Sequence, residues 1–324
     1  MRLGFVAGLV DTETSWIANT AKKFAELTDR IIIEFHQEHN WLKKLNFQSR
    51  KKRLAEERLK EFCDAAFGLH LPWEPKKNYR AVEKNFSDED IISWLRFCAD
   101  NEIEFFNMHI EWGDGVSGKE WKDDPSTRDA YVENAAENLK NVFSFAESNG
   151  IKLSLETLPS CLFVEDRGEH LVSFPAFPED YLELRKISGF NFGINPDVCH
   201  AAVTWWNMQN GVGYGIYGSD LPWKGLSLEK FLGKSILESR PVKQIHMADF
   251  KGNKSPSEHA VTLGGGLLTS EAISAVLKNI EKKTALIPEI QEDWRTRKAI
   301  KNCGYLPETV RSLDKLTGFR NLFK

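Results

Sequence analysis

Six stretches of the chain end an apolar run with a side chain that can bind a metal ion or move a proton. They are Gly68-Leu69-His70-Leu71-Pro72-Trp73, Asn107-Met108-His109-Ile110-Glu111-Trp112, Leu153-Ser154-Leu155-Glu156-Thr157, Asn195-Pro196-Asp197-Val198-Cys199-His200, His246-Met247-Ala248-Asp249 and Pro288-Glu289. A lone His at the end of a strand is more often a hydrogen-bonded core residue, and a lone acid there more often caps the next helix. Six in succession point elsewhere. If the strands are parallel and closed into a ring, their ends share one face and these groups converge. Carboxylates and imidazoles crowded together repel one another or shift their pKa values strongly. A divalent cation relieves both costs.

The elements that would position them are legible as short runs of buried type. Eight strands are expected at Arg2–Leu9, Arg30–Phe35, Asp64–Leu71, Glu104–Ile110, Ile151–Thr157, Phe190–Pro196, Val242–Met247 and Ala285–Ile290. Each is apolar more than alternating, as parallel strands covered on both faces should be. Between them lie amphipathic segments. Residues 130–149 place Ala135, Leu139, Val142, Phe143 and Ala146 at helical spacing before Gly150. Ser87 with Asp90 signals a helix start, Pro178 suits a first turn, and residues 269–280 repeat the pattern. The expected fold is α/β: a single (β/α)8 TIM barrel spanning 1–324, with the barrel over about 2–295 and a helical segment over about 296–324. No GxGxxG follows a strand, which weakens a dinucleotide-binding reading. Residues 201–226, rich in Trp, Gly and Tyr, are expected as an enlarged loop over the mouth after strand six, and as a candidate surface for homo-oligomer formation.

Composition narrows the class. The 324 residues are 41% hydrophobic with 21 Phe and 10 Trp, enough for a large core and too much for disorder. No apolar run approaches the roughly 18 residues of a membrane helix, and Asp11 stops the apolar opening, so neither membrane nor signal peptide is expected. Five scattered cysteines without a CxxC pair argue against disulfides and a zinc ribbon, and for a reduced, cytoplasmic protein. The net charge of −4 divides unevenly: residues 43–60 carry +6 and the remainder −10. A solvated helix face is the plain explanation of that basic segment, and a phosphate or nucleic-acid patch the sharper one.

In this order on these strands, the motifs resemble the xylose isomerase-like barrel superfamily. It contains sugar isomerases and epimerases, polyol dehydratases and endonuclease IV-type apurinic-site nucleases. The resemblance runs from the first strand through Glu289 and includes His259 followed by Leu263-Gly264-Gly265-Gly266. It implies a four-ligand metal site of Glu156, Asp197, His246 and Glu289 for Mn²⁺, Mg²⁺, Co²⁺ or Zn²⁺. Under the isomerase or epimerase reading the partner is a small sugar or sugar phosphate, handled through a metal-stabilised enediolate. Glu156 and Glu289 would then exchange the proton beside the carbonyl, and His200 would bind a substrate oxygen. His70, His109, Trp73, Trp112 and Lys251 are candidate substrate contacts, with Trp205 or Trp206 as further apolar walls. Under the nuclease reading the partner is DNA, and His70, His109, His200 and His259 would add a second and third zinc. Ser257 stands where that branch has an aspartate, and His109-Ile110-Glu111 where it has His-Pro-Gly. A dehydratase would use the same base and metal to expel a hydroxyl. Gly264-Gly265-Gly266 reads as a turn before it reads as a phosphate cradle. His36 and His39 match no ligand position, and His170 is expected to be solvated.

Overall fold

The computed structural model describes residues 2–8, 14–28, 31–36, 66–71, 88–110, 117–164, 168–212, 222–252, 260–290 and 303–319. The basic segment 43–60, His39, Trp73, Trp112 and His259 lie outside them. Within them the chain runs β1 (Arg2–Gly8), α1 (Thr14–Ala25), β2 (Ile31–His36), β3 (Ala66–His70), α2 (Asp88–Asp100), β4 (Phe105–Met108), α3 (Gly118–Asp123) and α4 (Pro125–Ser148). It continues with β5 (Lys152–Glu156), β6 (Cys161–Val164), β7 (Glu169–Val172), α5 (Pro178–Ser188), β8 (Gly193–Asn195) and α6 (Val198–Gln209). The last elements are α7 (Leu228–Glu238), β9 (Gln244–Met247), α8 (Ser270–Asn279), β10 (Ala285–Pro288) and α9 (Pro307–Thr317).

All eight expected strands are present and hydrogen-bond in the order β8-β5-β4-β3-β2-β1-β10-β9, each named pair parallel. Parallel bridges Ile194 to Val242 and Asp197 to His246 draw the two ends of the sheet together. The result is a (β/α)8 TIM barrel. Among the described residues no helix is long and apolar enough to cross a membrane.

Two apolar layers follow from the alternation of strand side chains. Ile33, Phe35, Leu69, Phe106, Leu153, Leu155, Ile194, Ile245 and Leu286 face outward and join the buried faces of the helices in one large core. The inward set begins with a small cluster of Ile32, Ala66, Phe105, Ala285 and Ile287. Above it, toward the strand C-termini, the barrel interior turns polar, with Glu34, Asn107, Ser154, Asn195 and Gln244 all buried. Helix α4 buries the five residues expected from its spacing, and Gly150 beyond it takes a positive φ of 67°.

Two sequence expectations need correction. Residues 201–209 are the body of helix α6 and not a loop, because Asp197 caps a run whose Ala201, Ala202, Val203 and Met208 pack inward. Trp205 and Trp206 are half-buried on that helix, and Trp205 Nε1 donates to the Leu226 carbonyl at 2.8 Å, which ties one of them to packing. His170 is a half-buried member of the β6–β7 hairpin, an antiparallel excursion after β5.

Asp249, just past β9, organises the glycine turn. Its Oδ2 accepts from the amides of Gly264 and Gly266, both at 2.9 Å, and its Oδ1 from Phe250 at 2.7 Å and Leu268 at 2.9 Å. The amides of Gly264 and Gly266 are therefore committed to this carboxylate, and that of Gly265 to the Thr262 carbonyl, so they do not form a phosphate cradle. A Cβ at Gly266 would lie 2.2 Å from the Phe250 carbonyl oxygen, so only glycine fits. At the opposite end of the barrel Glu104 Oε1 accepts from Arg2 at 2.6 Å and also from Lys152. Burial works against the Glu104 charge, but the two cations outweigh it and hold its pKa below the ordinary carboxylate value.

Replacing Asp249 with Asn should cost about 2–4 kcal/mol, because an amide presents a donor to amides that need an acceptor. Chemical unfolding measures the loss, and proteolysis should cut first near residues 260–268. Glu104→Gln should cost about 1 kcal/mol at neutral pH. The folded pKa is depressed, so this contribution is complete above the unfolded value and fades as pH falls through the folded one. The stability gap between wild type and variant should close in acid.

Candidate metal centre

The strand register determines which side chains meet. His70 pairs with Asn107 across β3–β4, Asn107 with Ser154 across β4–β5, and Glu156 with Asn195 across β5–β8. Inward positions recur every second residue, so Asn107 and His109, Ser154 and Glu156, Asn195 and Asp197, and Gln244 and His246 point alike. The last of each pair reaches the mouth.

Glu156 is the hub, with no exposed surface. Its Oε2 accepts from Asn107 Nδ2 and from Asn195 Nδ2 at 3.2 Å, and lies 3.0 Å from His70 Nε2 and 3.2 Å from His246 Nδ1. Its Oε1 lies 3.1 Å from His109 Nε2 and 3.5 Å from His200 Nδ1. The rings enclose it, with His70 and His109 edge to face at 4.8 Å between centroids and His70 and His246 stacked at 5.9 Å. Burial opposes the Glu156 charge, but His246 and His109 more than compensate and keep the carboxyl well below its usual range.

Asp197 has two duties. Its Oδ1 caps α6 by accepting from the His200 amide at 2.8 Å, while its own amide donates to Thr157 Oγ1 at 2.6 Å. Burial, and then the charges of Glu289 and Glu156, push its pKa well above the ordinary carboxylate value. Glu289 follows β10 and is the more open ligand candidate, its side chain 23% exposed, with Oε2 2.6 Å from His246 Nδ1. One atom from each of Glu156, Asp197, His246 and Glu289 falls within 4.8 Å of every other. Three carboxylates and one imidazole at this spacing fit a divalent cation, which would offset the repulsion from Glu289 and Glu156 that, after burial, raises the Asp197 pKa.

A second trio overlaps the first: His70, His109 and Glu156 also bring ligand atoms within 4.8 Å. His70 donates Nδ1–H to the Leu71 carbonyl at 2.8 Å, which directs Nε2 at Glu156. Burial disfavours its charge, but the Glu156 contact, with Glu34 and Glu289 beyond, pushes its pKa up to about 9. His200 likewise gives Nδ1–H to the Thr157 carbonyl at 2.8 Å, leaving Nε2 as its other polar atom. Burial lowers the pKa values of His200 and His109.

The structure thus brings together Glu156, Asp197, His246, Glu289, His70, His109 and His200. Lys251 is exposed on the loop beyond β9, and Asp249 serves the turn. The sequence reading passed over Glu34, Asn107, Asn195 and Gln244. Three of them precede a mouth residue by two positions, and Glu34 interrupts the Ile31-Ile32-Ile33 run with a charge.

Comparison with known proteins places the geometry. Among solved structures, a D-tagatose 3-epimerase-like protein superposes with a TM-score of 0.58 at 18% identity, covering 100% of this chain and 98% of the other. A D-psicose 3-epimerase determined in the presence of D-fructose gives 0.56 at 14% identity, covering 100% and 99%. The IolI protein with a bound zinc atom gives 0.56 at 12% identity, covering 100% and 98%. No curated protein matches in sequence. Residues 16–313 match the model of the xylose isomerase-like TIM barrel, and the chain belongs to that family.

Proposed function

We propose that this chain is a divalent-metal-dependent isomerase or epimerase of a small sugar or sugar phosphate. The observation that carries the reading is the convergence of Glu156, Asp197, His246 and Glu289 within 4.8 Å at the mouth of the barrel. The epimerases of the same fold support the substrate class. A bound divalent ion would supply positive charge to stabilise the negative charge that develops on substrate oxygens. Mn²⁺, Mg²⁺, Co²⁺ and Zn²⁺ all suit these donors.

The chain's own groups then divide the proton work. Glu289, the more open carboxylate, takes the proton from the carbon beside the carbonyl on one face. Glu156, at rest a carboxylate on the other face, draws a proton from the imidazole of His70, 3.0 Å away, and returns it to the same carbon. His200, tethered through Nδ1, offers Nε2 to a substrate oxygen. His70 and His109, whose ring nitrogens also converge on Glu156, would contact the sugar. The protein acts in the cytoplasm on a soluble substrate.

A multi-metal phosphodiesterase acting on abasic DNA would also use the His70, His109 and Glu156 trio, but the epimerases of the same fold do not favour it. The product distinguishes the readings. Incubation with ketoses and their phosphates in D₂O should yield an epimer or isomer carrying deuterium beside the carbonyl. Loss of water would indicate a dehydratase, and cleavage of an abasic duplex a nuclease. Glu156→Gln and Glu289→Gln should each lower kcat by about 10²–10⁴-fold. Unchanged turnover in both would sink the mechanism.

Metal binding has its own readout. At a free metal concentration about 100 times Kd the native state should gain about 2.7 kcal/mol, seen as a rise in Tm that a chelator reverses. Asp197→Asn should lose most of that gain.

A further inference from the structure

One buried carboxylate belongs to neither convergent group. Glu34, midway along β2, has no exposed surface. Its Oε1 lies 2.8 Å from Nε2 of His246 on β9, three places round the barrel. Its Oε2 accepts from Gln244 Nε2 at 2.6 Å. Gly68 on the adjoining strand leaves the space it occupies, since a Cβ there would lie 3.3 Å from Glu34 Cγ.

We propose that Glu34 is a positioning residue that sets which nitrogen of His246 binds the metal. The inference rests on the metal centre described above. A carboxylate only accepts hydrogen bonds, so the Glu34 contact requires a hydrogen on His246 Nε2. In the neutral ring that a metal would take, the lone pair then falls on Nδ1. That nitrogen is the one facing the centre, 2.6 Å from Glu289 Oε2 and 3.2 Å from Glu156 Oε2. A neutral imidazole without this partner adopts either tautomer, and the one with Nδ1–H cannot ligate. The acceptor charge also makes Nδ1 a more basic ligand.

Gln244 completes the device. It sits two residues before His246 on the same strand and holds the second Glu34 oxygen, so the carboxylate cannot turn away. The backbone amide of His246 donates to Asn195 Oδ1 at 3.1 Å, which fixes the main chain as well. Glutamine at position 34 would be a poor substitute. Its amide carries no charge, and it satisfies His246 only if Gln244 also turns its amide over to accept from the new NH₂.

The test compares wild type, Glu34→Gln and Gln244→Met, each stripped of metal and titrated with Co²⁺. Visible absorption and calorimetry follow binding, and circular dichroism with Tm establishes folding. Nitrogen-15 spectra of the Zn²⁺-loaded proteins, labelled at histidine, report which ring nitrogen carries hydrogen. Glu34→Gln should weaken Co²⁺ binding roughly 10–100-fold, and the Nε2–H signal of His246 should lose its protection from exchange. Gln244→Met should weaken binding several-fold in the same direction. Folded variants that bind Co²⁺ as tightly as wild type overturn the proposal. If Glu34→Gln does not fold, Gln244→Met decides alone, and wild-type affinity there overturns it too. Wild-type protein that binds no Co²⁺ defeats the metal centre itself and this inference with it, a result distinct from equal binding by all three.

Discussion

The mouth of this barrel depends on keeping the Glu156 carboxylate charged where water does not reach it. Desolvation alone would protonate such a group, and an unpaired buried charge costs several kcal/mol. Asn107 and Asn195 answer with amide hydrogens, and His70, His109, His200 and His246 surround the two oxygens. The asparagines are neutral, so they solvate the charge without cancelling it. The carboxylate stays ionised and so remains available as a ligand. The imidazoles are adjustable, and each occupies a place that a cation or a substrate oxygen can share.

Barrel geometry makes this shell affordable. A TIM barrel interior is ordinarily filled by layers of branched apolar side chains. Here the inward apolar cluster is small, Ile32, Ala66, Phe105, Ala285 and Ile287, and the layer above it is Glu34, Asn107, Ser154, Asn195 and Gln244. The stabilising burial lies outside the ring, where the opposite faces of the same strands meet the helices. Polar residues could therefore enter the interior without removing the main hydrophobic contacts. Arg2, Glu104 and Lys152 close the far end with an ion-pair cluster, and both cations lie over the Phe105 ring.

The strands and the mouth residues were legible for one reason: an apolar run that stops at a His, Asp or Glu advertises both. The shell beneath was not, because a polar residue inside a buried strand does not say which face it occupies. Asn107 and Asn195 stood within the quoted motifs, yet only register shows them aimed at Glu156. The period of two held the missing signal: counting back from His109, Asp197 and His246 reaches Asn107, Asn195 and Gln244. Helix α6 was obscured by its tryptophans, which resemble a loop in composition while Ala201, Ala202 and Val203 supply its buried face. The β6–β7 hairpin offered only the apolar run Cys161–Val164 and the mixed Glu169–Val172, inside a stretch read as the connection after β5.

An acid at a strand end had two opposed explanations, helix cap and metal ligand, and Asp197 shows that they are compatible. One oxygen caps α6, whose N-terminal dipole favours negative charge. That contact fixes the rotamer, and the second oxygen faces the cluster already oriented. His70 and His200 follow the same scheme, each tied by Nδ1–H to a backbone carbonyl, and in His70 Nε2 then meets Glu156 at 3.0 Å. His246 differs, since its anchor is the Glu34 side chain and its inward atom is Nδ1. In every case one polar atom is committed to the scaffold and the other to the site. Such pre-orientation lowers the entropy lost on binding, and it explains why the ligands come from strand ends, where backbone carbonyls, amides and side chains of the next layer all lie within reach.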